Sequence, residues 1–179
     1  MYFSKFPLRV YDVKGNKNFK LLPDILRRVK VRSGLASSRF VFDKYNVKEG
    51  EKPEDVAFKY YGDAQYHWVI MMINNITDRY YEWPMRQADF ADFLTDKYGA
   101  GSEDSVHHYE LAQTSGATSS SDNSHMLEVN SDTDGATAIT NREYEERQQE
   151  NFRQIRLLDE KYLDEFTEEF FGLIKKNRF

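Results

Sequence analysis

The chain has 179 residues, with 25 Lys and Arg against 30 Asp and Glu and no Cys. The length allows one ordinary domain or two small ones. The missing cysteine excludes a disulfide framework, a thiolate zinc site and a thiol nucleophile. Only 40% of the residues are hydrophobic, yet 15% are aromatic. Rings give large contact area for little entropy. The composition therefore suits burial against other proteins, or a small core built from rings. The first seven residues show no apolar stretch followed by a small-residue cleavage site. The longest apolar run, residues 68–73, is far short of the ~20 that cross a bilayer. Synthesis in a reducing cytoplasm is expected, with no membrane partner.

Charge is distributed unevenly. Residues 1–39 hold ten basic side chains and two acidic ones, whereas the rest of the chain holds 15 basic and 28 acidic. A basic arm of this kind can bind nucleic acid, an acidic protein or its own acidic half. Here the cations alternate with rings and aliphatic side chains, which points to protein docking and away from nucleic acid. Tyr2, Phe3, Phe6, Tyr11, Arg27 and Arg28 are the candidate docking residues of this arm. Pro23 is expected to open a helical turn over residues 24–29, with Asp24 set against its dipole.

Residues 39–47 read as a strand that Gly50 ends. Pro53 starts a helix carrying Val56, Ala57 and Tyr60 on one face, and Gly62 stops it. A second helix over residues 64–74 is apolar nearly all round and should be buried. Residues 82–84 mark a turn, and Phe90, Phe93 and Leu94 form a helical stripe ending at Gly99. Residues 106–111, 126–129 and 136–139 read as three strands, the first two separated by a Ser-rich stretch at 114–124 with no composition for order. Thr140 and Glu143 have the spacing of a capping box. The helix they open, to about residue 151, is almost wholly polar and is expected on a surface. Residues 155–158 read as an extended link. Asp159 caps a last helix whose stripe includes Tyr162, Leu163, Phe166, Phe170 and Ile174. Phe166 and Phe170 are candidates for docking or for core.

Chemistry is sparse. Neighbouring His107 and His108 on a strand should point to opposite faces, so no metal site is expected, with or without His125. The carboxylates at 143–150 and 164–169 sit in polar runs on helix faces expected to be solvated, which offers no environment to separate paired pKa values. No nucleophile-elbow, phosphate-loop or zinc-protease spacing occurs. No catalytic residue, cofactor or enzyme activity is expected.

Tyr45, Val47, Gly50, Val56, Ala57, Tyr60, Tyr61, Gly62, Trp68, Asn74, Asn75 and Ile76 stand at spacings that resemble a LysM module. The resemblance implies a strand–helix–helix core. It also implies N-acetylglucosamine glycan binding by the loops after the strand and after the second helix. Lys52, followed by Pro53, stands where the family carries a small hydroxyl residue, and residues 77–84 replace its proline-glycine turn and closing strand. A wider likeness takes in the aromatic basic N-terminus, residues 32–42, Glu82-Trp83-Pro84-Met85 and Asn141-Arg142-Glu143-Tyr144. It resembles the small LysM-like baseplate wedge subunits of T-even-type contractile-tailed phages.

That resemblance implies a non-catalytic, late structural protein of the virion. It would bind other wedge subunits and join neighbouring wedges in a six-fold ring around the hub. The expected fold is α+β: a LysM-like core at 40–80, an extended N-terminal arm at 1–39, a helix and antiparallel hairpin or sheet at 81–139, and a C-terminal helical region at 140–179. A glycan-binding module is the alternative function, and a nucleic-acid adaptor a weaker one.

Overall fold

The computed structural model describes residues 2–27, 29–31, 41–113 and 126–175. Five helices and seven strands are present among them, and every strand pairing is antiparallel. The fold is α+β. Contacts divide the chain into two units, residues 1–82 with 154–179, and residues 83–153. This division cuts across the segments expected from the sequence, because the C-terminal third is shared between the units.

In the first unit, β1 (Leu8–Asp12) and β2 (Phe19–Pro23) form a hairpin. The helix expected after Pro23 is absent among the described residues. Pro23 is instead the last residue of β2, opposite Leu8, at a strand end that tolerates its missing amide. β3 (Phe42–Asn46) is followed by α1 (Pro53–Tyr61) and α2 (His67–Ile73), the strand–helix–helix order expected. Pro53 takes the first position of α1, where its missing N–H costs nothing. Gly62 ends α1 at φ 75°, a left-handed position that a side chain would strain. The Tyr61 hydroxyl donates to the Leu158 carbonyl at 3.1 Å.

The partner of β3 is β7 (Gln154–Leu158), with Tyr45 opposite Ile155 and Asp43 opposite Leu157. Residues expected as an extended link are therefore a strand. It supplies the closing pairing that the sequence lacks after Ile76, from beyond the whole second unit. Its alternation buries Ile155 and Leu157 and leaves Gln154 and Arg156 exposed. The Asn74 side chain bonds both backbone groups of Arg156, donating to its carbonyl and accepting its amide, each at 2.8 Å. One amide thus occupies an edge that would otherwise recruit another strand. After the Asp159-capped turn, α5 (Leu163–Lys175) completes the unit.

In the second unit, α3 (Gln87–Tyr98) buries Phe90 and Leu94. β4 (Val106–Ala112) is flanked by β5 (Met126–Val129) and β6 (Thr137–Thr140), giving the order β5-β4-β6. The Ser-rich stretch and His125 lie outside the described residues. α4 (Asn141–Arg153) opens with the expected capping box: Thr140 N–H donates to Glu143, and Glu143 N–H to Thr140 Oγ1.

Only part of its polar surface is solvated, at Glu143, Glu146, Glu150 and Asn151. Asn141, Glu145 and Gln149 are buried. Glu145 Oε1 accepts from Lys97 Nζ and the Tyr98 hydroxyl, both at 2.6 Å, and Gln149 Oε1 accepts the Met85 amide at 2.8 Å. This helix packs by satisfying polar groups, so its composition disguised its burial.

Besides Glu145, two more carboxylates are buried, Glu51 in the first unit and Glu110 in the second. Glu51 accepts from Lys59, the Tyr45 hydroxyl and the Lys48 amide. Burial alone pushes its carboxyl up, but these bonds and the Lys59 charge outweigh it and the net direction is down. Glu110 behaves likewise, with burial outweighed by Arg147 and His108. A depressed carboxyl adds stability that is complete above its unfolded pKa of about 4.3 and vanishes as pH falls through its folded value. Melting curves should be flat down to about pH 5 and fall below it. The gap between the parent and Glu51→Gln should be widest near neutrality and close towards pH 3; a gap independent of pH would contradict the assignment.

Candidate protein-docking surface

Residues 2–5 form a single 3-10 turn that brings Tyr2 and Phe6 onto α5 and α2. Phe6, Phe170 and Ile174 are buried together, with Tyr2, Val29, Trp68, Met72 and Phe171 packed around them. The Trp68 ring lies 4.6 Å from Phe170, 5.1 Å from Tyr2 and 5.6 Å from Phe171, centroid to centroid. Phe166 stacks on Trp68 at 6.3 Å. These tilted and offset arrangements are the favourable ones for ring pairs. A groove of about 540 Å³ opens beside the cluster, lined by Tyr2, Tyr66, Trp68 and Phe171 with Lys5 and Glu168.

Several of the candidate docking residues are therefore committed within the chain. Phe6 and Phe170 are core, because the N-terminal turn and the last helix cover one another. Arg27 donates through Nη1 to the Ile174 carbonyl at 2.7 Å and pairs with Asp24 at 3.3 Å, so it caps the last turns of α5. Tyr2 and Phe166 are half-buried in the cluster, and Phe3 is exposed. Arg28 lies outside the described residues. Tyr11 alone of the set sits on the hairpin.

The LysM-like positions are structural too. Val47, Val56, Ala57 and Tyr61 are buried, Trp68 carries the cluster, and Asn74 ties down β7. Tyr45 and Tyr60 bond Glu51 and Asp43. Gly50 and Asn75 take positive φ, and the Ile76 amide donates to Met71 at 2.8 Å. One carboxylate in each of the two loops implied in glycan binding is bonded within the chain. Glu51 is bonded as above, and Glu82 accepts from Thr77 and Asp78.

The hairpin is the opposite case. Leu8, Val10, Phe19 and Leu21 are each between 58% and 65% exposed. Tyr11, Val13, Leu22, Ile25 and Leu26 are exposed as well. Its base is rooted: the Asp24 amide donates to the Pro7 carbonyl at 2.8 Å, Phe6 enters the cluster on one side, and Arg27 grips α5 on the other. A two-stranded hairpin alone is marginal in water, and a contiguous apolar surface of this kind marks an interaction site. Sequence reasoning took this stretch as an extended arm. The alternation of residues 8–11, the Gly15-Asn16 pair and the alternation of 19–22 were the missed hairpin signal.

Neighbouring His107 and His108 also depart from expectation. A β-bulge between Val106 and His108 breaks the alternation, so the two rings meet with Nδ1 atoms 2.8 Å apart and His107 stacks on Tyr144 at 4.1 Å. Among the described residues no group of three His, Cys, Asp or Glu is placed to hold a metal ion.

The division between core and surface can be measured on the isolated protein. Phe170→Ala should cost about 3–5 kcal/mol in denaturant unfolding, whereas Phe3→Ala should cost about 0.5 kcal/mol or less. An added Cβ at Gly172 meets nothing within 4 Å, so Gly172→Ala should stabilise α5 by about 0.5–1 kcal/mol.

Comparison with known proteins agrees with a surface made for assembly. The chain is 32% identical over 112 residues to the baseplate wedge protein gp53 of Enterobacteria phage T4, covering 60% of this chain and 57% of that protein. The chain thus spans little more than half the length of this relative. Residues 1–118 match the family described as base plate wedge protein 53, and the chain belongs to that family, structural proteins of the phage tail baseplate.

Proposed function

We propose that this chain acts as a joint of the baseplate wedge: it binds other wedge subunits and helps to link neighbouring wedges around the hub during assembly. The observation that carries this reading is the β1–β2 hairpin, apolar and exposed along its length yet fixed at its base. A rooted hairpin presents its contact surface in one conformation, so less entropy is lost on docking than for a loose arm. The chain works by binding alone, without catalysis, and the virion tail is where it does so.

The reading is tested with Val10→Ser combined with Leu21→Ser. Both side chains are exposed, so the purified variant should unfold within about 0.5 kcal/mol of the parent. In an infection supplied only with this variant, wedges should accumulate unjoined and sediment as single wedges. Complete baseplates at the parental level, with the variant inside them, would refute the role given to the hairpin.

A further inference from the structure

The two sides of the hairpin differ, and the difference describes what covers it. Directly paired residues of an antiparallel ladder project from the same side. Leu8 with Pro23, Val10 with Leu21 and Asp12 with Phe19 therefore share one face, and Arg9 with Leu22 and Tyr11 with Lys20 share the other. The first face is apolar apart from Asp12. That carboxylate is turned into the connecting loop, accepting the amides of Lys14, Asn16 and Lys17 at 3.3, 3.2 and 2.7 Å. The second face carries two cations, the loop adds Lys14 and Lys17, and Lys5 precedes the stem. All five cations are exposed, and none of them forms an ion pair among the described residues. Asp24, the other carboxylate of this stretch, is held by Arg27.

Resting on the docking role above, we propose that the partner surface covering the hairpin is an acidic protein cleft. An apolar floor takes Leu8, Val10, Phe19 and Leu21, and carboxylates face Arg9, Lys20 and the loop lysines. Nucleic acid would meet the cations but leave the aliphatic side chains in water, since they neither stack on bases nor pair with phosphates. A lipid surface would take the apolar face but leave Arg9 and Lys20 on the opposite side, away from the headgroups. A second copy is a poor fit. Hairpin on hairpin through the apolar faces would leave Arg9 and Lys20 on the outer sides without an acidic partner. Among the described residues, the large exposed hydrophobics outside the hairpin and its base are Phe3, Phe58, Tyr80, Tyr81, Val106 and Leu127, of which only the last two are aliphatic.

The test uses the full chain and wedges purified from an infection lacking it, with association and dissociation followed from about 0.05 M to about 0.5 M salt. Arg9→Glu with Lys20→Glu should keep the parental melting temperature and weaken binding about tenfold or more at low salt, mainly through slower association. That deficit should shrink as salt rises. Val10→Ser with Leu21→Ser should weaken binding at every salt concentration, through faster dissociation.

Should the charge-reversed protein bind like the parent, or show a deficit indifferent to salt, the acidic cleft is refuted; loss of binding by the serine variant would then leave the docking role standing. If neither variant loses affinity, both readings fall. Three further measurements would reassign the hairpin: binding to a DNA duplex abolished by the charge-reversed variant, or binding to phosphatidylglycerol vesicles or self-association of the chain abolished by the serine variant.

Discussion

Trp68 sits where three stretches of the first unit meet: the N-terminal turn, α2 and α5. The position of the hairpin depends on that meeting. Tyr2 is held there by the rings of Trp68 and Phe170, Phe6 packs edge-on against Tyr2, and Arg27 returns to the end of the same α5. The hairpin between these points has both ends fixed to one helix. Without the cluster, residues 2–27 would be a tether carrying greasy side chains. With it, they are a presented surface. The cluster thus positions the hairpin as well as forming a core.

The same economy governs the rest of the first unit. Asn74 bonds the backbone of Arg156 and closes an edge of β7, while the two hairpin edges are left open. A chain that blocks one sheet edge with a side chain and leaves another exposed and apolar has assigned different tasks to them. The second unit is placed between α2 and β7 in sequence, so the β3–β7 pairing forms only when the chain returns from it. Polar contacts hold much of that unit: Glu145 with Lys97 and Tyr98, and Glu110 with Arg147 at 2.7 and 2.9 Å. Buried groups of this kind are costly unless every partner is present, which favours one arrangement over near alternatives.

Much of this was legible in the sequence, and the failures have physical causes. Local punctuation worked: Pro53 and Gly62 bound α1, Thr140 and Glu143 start α4, and the apolar run at 68–73 lies within α2. Pairing over distance did not. Residues 155–158 look like a link because nothing local says that β3 is their partner, far back in the chain. α4 was read as a solvated surface helix because periodicity detects apolar burial, and Glu145 and Gln149 are buried by hydrogen bonding instead. The histidine pair was misplaced by one bulge, which no composition announces. The hairpin is legible in the alternation of residues 8–11 and 19–22, but its strands are short and mostly exposed, so the pattern has no buried face to strengthen it.

Phe6 and Phe170 illustrate why ring content alone does not separate core from interface. Both were candidates for docking, and both are buried against the chain's own opposite end. What distinguishes them from Leu8, Val10, Phe19 and Leu21 is architecture, since a turn against a helix encloses an interior and two paired strands do not. A ledger of apolar side chains would count these residues alike. The geometry sorts them, because the first group meets partners within the unit while the second has an open face on which no described residue buries it. On the docking role proposed above, that open face is the functional element, and its stability is borrowed from the cluster at its root until a neighbour completes it.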